Sequence, residues 1–331
     1  MVTDTATATE TEQVGAGLER MHERAVTFAR LTRSQFESDA AMFNAVVENT
    51  HRLMRWIETL EARGVERARI QRAIAPAVAA IAGSPFVARL HTWPRGYPGD
   101  FETIEYLCDG INRAEAGTLG FFCESYYLNS APACQHRNKL QAQAARISAM
   151  IRRKPDASIL VLAAGGGRDL LQALPWLEAS RARLVVNDLE PDAVHLCQQR
   201  LATLGDRVTL VPGDALAIGR FRALGPFDLI VAGGLFDYLP TPVLIRALRL
   251  IQRALLRPAS SGGGDLFFTN IAREHPFRAA MDYLLNWSLI GRSPEDLLAV
   301  LQAAGISADR VRITQDLTTL AWLVDVSPAR G

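Results

Sequence analysis

The pattern of hydrophobic and polar positions divides the chain into two halves. In the first half, apolar residues such as Val46, Leu53, Ile57 and Leu60 recur three or four positions apart, which is the spacing of one buried helix face. The pattern predicts a helical half without strands. Its expected elements are helices over about 18–63, 70–81 and 135–153 and an irregular, aromatic-rich stretch over 85–99.

The pattern changes after residue 154, where short apolar runs alternate with helical segments. The first run, 158–163, is continuously apolar, as expected of a buried parallel strand. Further strands are predicted at 183–187, 208–211, 227–232, 265–269, 311–314 and 319–324, with helices from 191, over 244–256 and from 293. Strands that alternate with helices in this way predict a doubly wound α/β sheet.

We therefore predict a disordered tail over 1–15, a helical N-terminal domain over 16–153 and an α/β domain over 154–331. The tail lacks the basic and apolar segments of a secretory signal. No run reaches the ~20 apolar residues of a membrane span. We expect a cytoplasmic protein with no membrane span.

Composition excludes several classes of function. The 36 Lys and Arg residues balance 35 Asp and Glu residues, so no long-range field favours nucleic acid, and we expect no nucleic-acid partner. The four cysteines form no CxxC pair, and no His/Cys cluster has zinc-ligand spacing. We expect free thiols in a reducing compartment and no metal site.

Glycines and an acid follow the first two predicted strands. Gly165, Gly166 and Gly167 stand between a strand and a helix, where glycine permits a tight turn and the helix offers free N–H groups to an anion. A tight turn without a ligand is the alternative. Asp188 ends the second strand, where a carboxylate can accept both hydroxyls of a ribose. It could instead belong to a turn or cap the next helix.

The next two strands end in similar features. Gly213 and Asp214 follow the third strand. At this depth in the crevice, the carboxylate of Asp214 can accept a hydrogen bond from the amino group of adenine. Gly233 and Gly234 end the fourth strand, where the chain must pass close to a ligand. All these residues lie at the carboxyl ends of consecutive strands, which is where open α/β sheets bind ligands.

Together these motifs resemble the class I S-adenosylmethionine-dependent methyltransferase family over about residues 155–326. The resemblance implies a Rossmann-like sheet of seven strands with an antiparallel last strand, S-adenosylmethionine as cofactor, and methyl transfer to a small-molecule acceptor. Ala163 stands where many members carry an acid. The cofactor-binding residues implied by the resemblance are Ala164, Gly165, Gly166, Gly167, Asp188, Leu189, Gly213, Asp214, Ala215 and Gly233.

Two other functions stay open. A nicotinamide dehydrogenase also uses a glycine-rich turn, but here the turn lies in the middle of the chain and lacks the full G-x-G-x-x-G motif. Gly213 and Asp214 also have no evident role in binding a dinucleotide. A cofactor-binding sensor or scaffold without catalysis is the second alternative.

Four residues are candidates for catalysis on the acceptor. Tyr97 and Asp100 lie in a turn rich in Gly, Pro and aromatic residues, Arg137 could bind a carboxylate, and His275 could act as a general base. The alternatives are a connecting loop for the turn, a solvated helix face for Arg137 and a helix cap for His275. We predict that the helical domain closes over the cofactor crevice as a lid.

The strings 96–102 and 281–292 resemble a bacterial subgroup of extracellular-factor 3-hydroxypalmitate methyl ester biosynthesis proteins. This resemblance implies ester formation on a hydroxy fatty acid. A carboxylate is already a nucleophile at neutral pH, so a cation to orient it, such as Arg95, Arg137 or Arg278, matters more than a base. An N- or O-methyltransferase of a small natural product is the main alternative. A homodimer is left open.

Overall fold

A computed structural model describes residues 3–328, with side chains from residue 12 onward. The chain divides into a helical unit, Met1–Ala133 with Pro276–Ser288, and a sheet unit, Cys134–His275 with Leu289–Gly331. The division therefore falls before the residue-153 boundary predicted from the sequence. The tail predicted for residues 1–15 lies partly outside the described residues, which begin in helix α1. Over residues 3–328, no helix combines the length and the hydropathy needed to cross a membrane.

The helical unit packs two long helices and several short ones around an aliphatic core. Val46 and Ile57 of α2 and Ile70 and Ile74 of α3 are fully buried. The helices are α1 (Thr3–Ala29), α2 (Asp39–Ala62), α3 (Arg67–Ile81), α4 (Pro85–Thr92), α5 (Phe101–Asp109) and α6 (Leu119–Asn129).

The continuous helix predicted over 18–63 is wrong, because the chain breaks between α1 and α2. Ser38 starts α2, and its hydroxyl accepts a hydrogen bond from the amide of Ala41 at 3.1 Å. Upstream, the amide of Thr32 donates to the side chain of Gln35 at 3.0 Å. Short polar side chains that bond to nearby backbone favour helix ends over helix interiors.

The stretch 85–99, predicted to be irregular, contains helix α4. Ser84 caps this helix by accepting from the amide of Val87 at 3.1 Å, and Pro85 occupies the first helical position. Helices α5 and α6 were not predicted. The residues of α6 are buried on most sides, so it has no polar face to produce a helical period.

The sheet unit is built on seven strands in the order β3-β2-β1-β4-β5-β7-β6. β7 runs antiparallel to β5 and β6, and the other neighbours are parallel, which confirms the predicted fold class. The strands are β1 (Ser158–Leu162), β2 (Arg183–Asp188), β3 (Val208–Pro212), β4 (Leu229–Ala232), β5 (Asp265–Ile271), β6 (Val311–Gln315) and β7 (Ala321–Val326).

Helices cover both faces of the sheet. Ile147 and Leu170 pack on one face, and Leu248 and Leu297 pack on the other. The helices of this unit are α7 (Ala131–Arg153, whose first three residues fall in the helical unit), α8 (Arg168–Glu178), α9 (Pro191–Arg200), α10 (Thr241–Leu250) and α11 (Pro294–Ala303). Because β1 lies between β2 and β4, the strand order reverses there, and a ligand crevice is expected at its carboxyl end.

Candidate active site

The chain turns sharply between β1 and α8, in the glycine loop formed by residues 163–167. The φ angles of Ala163, Gly165 and Gly167 are 49°, 55° and 69°, in the left-handed region that favours glycine. A Cβ atom on Gly167 would also lie 2.9 Å from the sulfur of Cys197. Glycine at 167 is therefore required twice, by backbone conformation and by close packing.

Two side chains of helix α9 bond to the backbone of the glycine loop. The thiol of Cys197 donates to the carbonyl of Gly165 at 3.2 Å, and the guanidinium of Arg200 donates to the carbonyl of Gly166 at 2.6 Å. Both loop carbonyls are thus bonded within the protein. Sequence reasoning missed Cys197 and Arg200, because they belong to an element beyond the next strand.

Asp188 ends β2 and contacts the glycine loop. One carboxylate oxygen accepts from the amide of Gly165 at 2.7 Å, and the other accepts from the amide of Glu190 at 3.0 Å. A carboxylate has about four acceptor positions, so about one remains on each oxygen, which matches the two hydroxyls of a ribose. Leu189, the next residue, is 58% exposed and offers an apolar surface. These residues fit an adenosine group.

Burial raises the pKa of Asp188, and the charge of Glu190 acts in the same direction. The amides of Glu190 and Gly165 act against this rise, because their hydrogen bonds favour the charged carboxylate. Asp188 is thus a buried acid held in place by backbone donors.

The ends of β2 and β3 are joined by Asn187, which sequence reasoning did not single out. Its fully buried side chain donates to the carbonyls of Val211 and Gly213, each at 2.8 Å. Gly213 has a φ of 122°, and its amide donates to the carbonyl of Asp188 at 2.7 Å. Asp214 is exposed and accepts from the amide of Leu216 at 2.8 Å. Gly213 and Asp214 are thereby placed beside Asp188.

Beyond β4, the crevice is bordered by helix α7. A Cβ atom on Gly233 would lie 2.1 Å from the amide oxygen of Gln143, which is itself buried. One turn earlier, the ammonium of Lys139 donates to Asp237 at 2.8 Å, and both side chains are almost fully buried. Asp237 also accepts from the amide of Ile271 at 2.6 Å.

One further turn back, Gln135 is 1% exposed, and neither atom of its amide group has a hydrogen-bond partner among residues 12–328. We call Gln135, Lys139 and Gln143 the α7 polar row. They stand four residues apart and therefore share one face of the helix. From the sequence, Arg137 was the one residue of this helix expected to act on the acceptor.

A second buried acid follows the glycine loop. Asp169 of α8 is 1% exposed, and its carboxylate oxygens make no hydrogen bond of good geometry with the described residues. Burial raises the pKa of Asp169 to about 6, against a smaller opposing effect of the Leu170 and Asp169 amides.

The four residues predicted to act on the acceptor fall in different units. Tyr97 and Asp100 belong to the helical unit, and Arg137 and His275 to the sheet unit. Tyr97, Arg137 and His275 are partly buried. Next to Arg137, burial lowers the pKa of His136 to about 3, with the charges of Lys139 and Arg137 acting in the same direction.

Asp100 has a structural task. Its buried carboxylate accepts from the amide of Thr103 at 3.0 Å, which caps helix α5, and from Arg89 at 2.5 Å. Arg89 and Arg95 both pair with Glu102 as well, at 2.7 and 2.8 Å. The acids of the turn that carries Tyr97 are therefore engaged in ion pairs.

Comparison with known protein families identifies the kind of domain to which the sheet unit is similar. A family model described as "Methyltransferase domain" matches residues 159–258. The chain carries a methyltransferase domain. The matched part of this methyltransferase domain contains the glycine loop, Asp188, Asp214 and Gly233. The predicted enzyme class, an S-adenosylmethionine-dependent methyltransferase, and its cofactor are thus confirmed.

Several solved structures are similar to this chain at low sequence identity. A possible exported protein from Bordetella parapertussis is 17% identical, covers 96% of this chain and 97% of its own, and gives a TM-score of 0.56. Mitomycin 7-O-methyltransferase is 16% identical, with coverage of 98% and 99% and a TM-score of 0.45. Magnesium protoporphyrin IX methyltransferase from Synechocystis is 13% identical, with coverage of 59% and 85% and a TM-score of 0.43. Comparison with curated proteins gives no match.

Proposed function

We propose that this methyltransferase acts on a carboxylate oxygen of a small organic acid, with hydroxy fatty acids as the acceptor class. Binding of the methyl donor is supported by one contact between Asp188 and the glycine loop. The amide of Gly165 donates a 2.7 Å hydrogen bond to the Asp188 carboxylate and orients it. The carboxylate acceptor is proposed from the subgroup resemblance of the strings 96–102 and 281–292.

S-Adenosylmethionine supplies a methyl group on a positively charged sulfur. The chain's part is to hold the adenosine group, with Asp188 on the ribose hydroxyls and Asp214 on the amino group of adenine. A carboxylic acid with a pKa of about 4 is already ionised at neutral pH, so no base has to remove a proton. When bound, the cofactor would supply an electrophilic methyl group that a carboxylate oxygen can take directly, with S-adenosylhomocysteine as the other product. Positioning in a dry site then supplies most of the rate.

On the acceptor side, we propose that Tyr97, Arg137 and His275 contact the substrate and that Asp100 positions the turn that carries Tyr97. The support for the role of Asp100 is its cap of α5 and its ion pair with Arg89. A substitution of Asp100 would then lower turnover indirectly, because it would displace Tyr97.

The two strings that resemble the ester-forming subgroup build the framework of their units. In the second string, the hydroxyl of Tyr283 donates to Glu61 at 2.7 Å. Arg292, 2% exposed, donates to the carbonyls of Phe236 and Leu239 at 3.0 and 2.6 Å. Tyr283 and Arg292 therefore have structural roles, and the proposed acceptor has to be tested directly.

The experiment is a transfer assay with S-adenosylmethionine labelled in its methyl group. Purified protein is offered 3-hydroxypalmitate, a phenol and an aliphatic amine, and products are identified by mass spectrometry. A labelled product from 3-hydroxypalmitate that releases methanol in mild alkali identifies a methyl ester. A labelled ether or amine would replace the carboxylate acceptor by the natural-product class. Cofactor binding without turnover on any acceptor in cell extract would favour a sensor.

We propose a cytoplasmic location as well. None of the four cysteines, all of them among the described residues, forms a disulfide, which is typical of a reducing compartment. The neighbour from Bordetella parapertussis carries the description of a possible exported protein, so cell fractionation is the direct test. Light scattering during size-exclusion chromatography tests for a homodimer.

A further inference from the structure

Within the helical unit, residues of α1 and α2 line a partly open cavity of about 280 Å³. The residues that line it include Arg24, Arg52, Arg55 and Trp56. No carboxylate is among the described residues that line it. Three cationic residues and one aromatic residue thus line the same cavity.

The charge of this cavity is only partly neutralised. Arg52 pairs with Glu48 on the same helix. Over residues 12–328, the side chains of Arg24 and Arg55 form no hydrogen bond or ion pair that would offset their charge. The charge of Arg55 also lowers the pKa of His51, second to burial as a cause. Arg24 and Arg55 therefore present charged groups that a bound anion can pair with.

The rest of the lining consists of Met21, Leu53, Trp56 and Asn49, and the side-chain amide of Asn49 already donates to the carbonyl of Ala45 at 2.8 Å. Leu53 is 3% exposed and forms part of the floor, while Trp56 is partly exposed. The guanidinium of Arg20 lies 5.9 Å from the centre of the Trp56 ring, on the surface beside the cavity. An aromatic wall of this kind favours a flat or aliphatic body over a hydrated inorganic ion.

We propose that this cavity is a binding site for a small organic acid. The carboxylate of the acid would bond to Arg24 and Arg55, and its apolar body would lie against Trp56 and Leu53. Guanidinium groups recognise carboxylates through charge-assisted hydrogen bonds. The volume lies near the lower end of small-molecule pockets, about 300–1,000 Å³, which favours a compact ligand over a polymer. The site needs neither the methyl donor nor its acceptor, so it does not depend on the proposed function.

The test is calorimetric titration of the full chain with 2-naphthoate, an acid with a flat apolar body. Its uncharged analogue 2-naphthamide and inorganic phosphate are titrated in parallel. We expect naphthoate to bind, and Arg24→Gln with Arg55→Gln to weaken it about 10-fold or more, the effect of losing charge-assisted bonds. Arg69→Gln is the matched control, because Arg69 is an exposed arginine on α3, outside the cavity. It should leave the affinity unchanged.

Arg24 and Arg55 are exposed, so their glutamine variants should keep the circular dichroism and melting temperature of the parent. The two single variants, each with a smaller loss, replace the double variant if it fails to fold. Equal binding of naphthoate and naphthamide, or unchanged affinity in the arginine variants, would overturn the proposal. So would phosphate binding as tight as that of naphthoate, or the absence of naphthoate binding.

Discussion

The amide of Gly165 donates to the carboxylate of Asp188 over 2.7 Å, so the glycine loop after β1 and the acid that ends β2 form one rigid group. Asn187 extends this group to β3 through the carbonyls of Val211 and Gly213. The ends of the first three strands are thus bonded to one another before a ligand binds. Preorganisation of this kind lowers the cost of ordering the site when the cofactor arrives.

Asp188→Ala should weaken the binding of S-adenosylhomocysteine by about 1–3 kcal/mol, because charge-assisted bonds to the ribose are lost. Isothermal titration calorimetry measures the change. Asp192→Ala is the matched control, an exposed acid in the first turn of α9. Unchanged affinity in folded Asp188→Ala protein would remove Asp188 from the ribose site.

The sheet could be predicted from the sequence because each buried strand is a continuous apolar run. β1 and β4 are buried at every position, and the acid and glycines follow such runs directly. Helices α5 and α6 escaped prediction because they are short and because α6 lacks a polar face. The Ser38 cap that divides α1 from α2 is a local signal in the sequence that was not used.

Within the site, the glycine loop and Asp188 could be found because strand order alone brings them together. Cys197 and Arg200 could not be found this way, because their bonds to the loop carbonyls depend on how α9 packs. The sequence alone does not distinguish Lys139 from a surface cation. Its burial against Asp237 is visible only in three dimensions.

Lys139→Met should lower the free energy of unfolding by about 3–5 kcal/mol, because it removes the cation that is hydrogen-bonded to the buried Asp237 carboxylate. Urea denaturation measures the loss. Lys154→Met is the matched control and should cost about 0–1 kcal/mol, since Lys154 is half-exposed and Arg257 also pairs with its partner Asp228. In the double variant that combines Lys139→Met and Asp237→Asn, the free energy of unfolding should fall by less than in Lys139→Met alone. A larger loss in the double variant would show that the pair is not a coupled ion pair.

Asp169→Asn should stabilise the protein at pH 8 and lose that advantage in acid. The pKa of Asp169 is about 6 in the folded state, above the ordinary value of 3.8, so the folded state binds a proton more tightly than the unfolded state. The wild type therefore loses stability as pH rises from about 4 to about 6, by ~1–3 kcal/mol in total. Urea unfolding of both proteins at pH 4 and pH 8 is the measurement. Equal stabilities at pH 8 would mean that the acid has a compensating partner.

Asp100→Ala should lower the free energy of unfolding by about 1–3 kcal/mol, because both the cap of α5 and the bond to Arg89 disappear. Asp109→Ala, at the exposed end of the same helix, is the control and should change stability little. If Asp100→Ala keeps full stability but loses turnover, Asp100 acts on the substrate and does not merely position the turn.

Gly233→Ala tests the contact between the end of β4 and the α7 polar row. The added Cβ would fall 2.1 Å from the amide oxygen of Gln143, so that side chain has to swing aside. Overpacking of this kind costs about 1–3 kcal/mol of stability. Because Gly233 borders the cofactor crevice, the affinity for S-adenosylhomocysteine should fall as well. Urea denaturation and calorimetry measure the two effects.

A second substitution, Gln143→Ala, tests whether the clash between the new Cβ atom and the Gln143 side chain causes the loss of stability. It removes the atoms that the new Cβ meets, so Gly233→Ala with Gln143→Ala should be more stable than Gly233→Ala alone. The coupling energy in this double-mutant cycle should be about 1 kcal/mol or more in favour of the double variant, as found for residues in contact. Strictly additive costs would show that the contact with Gln143 is not the cause of the loss, and Gln143 would then lose its place beside the crevice.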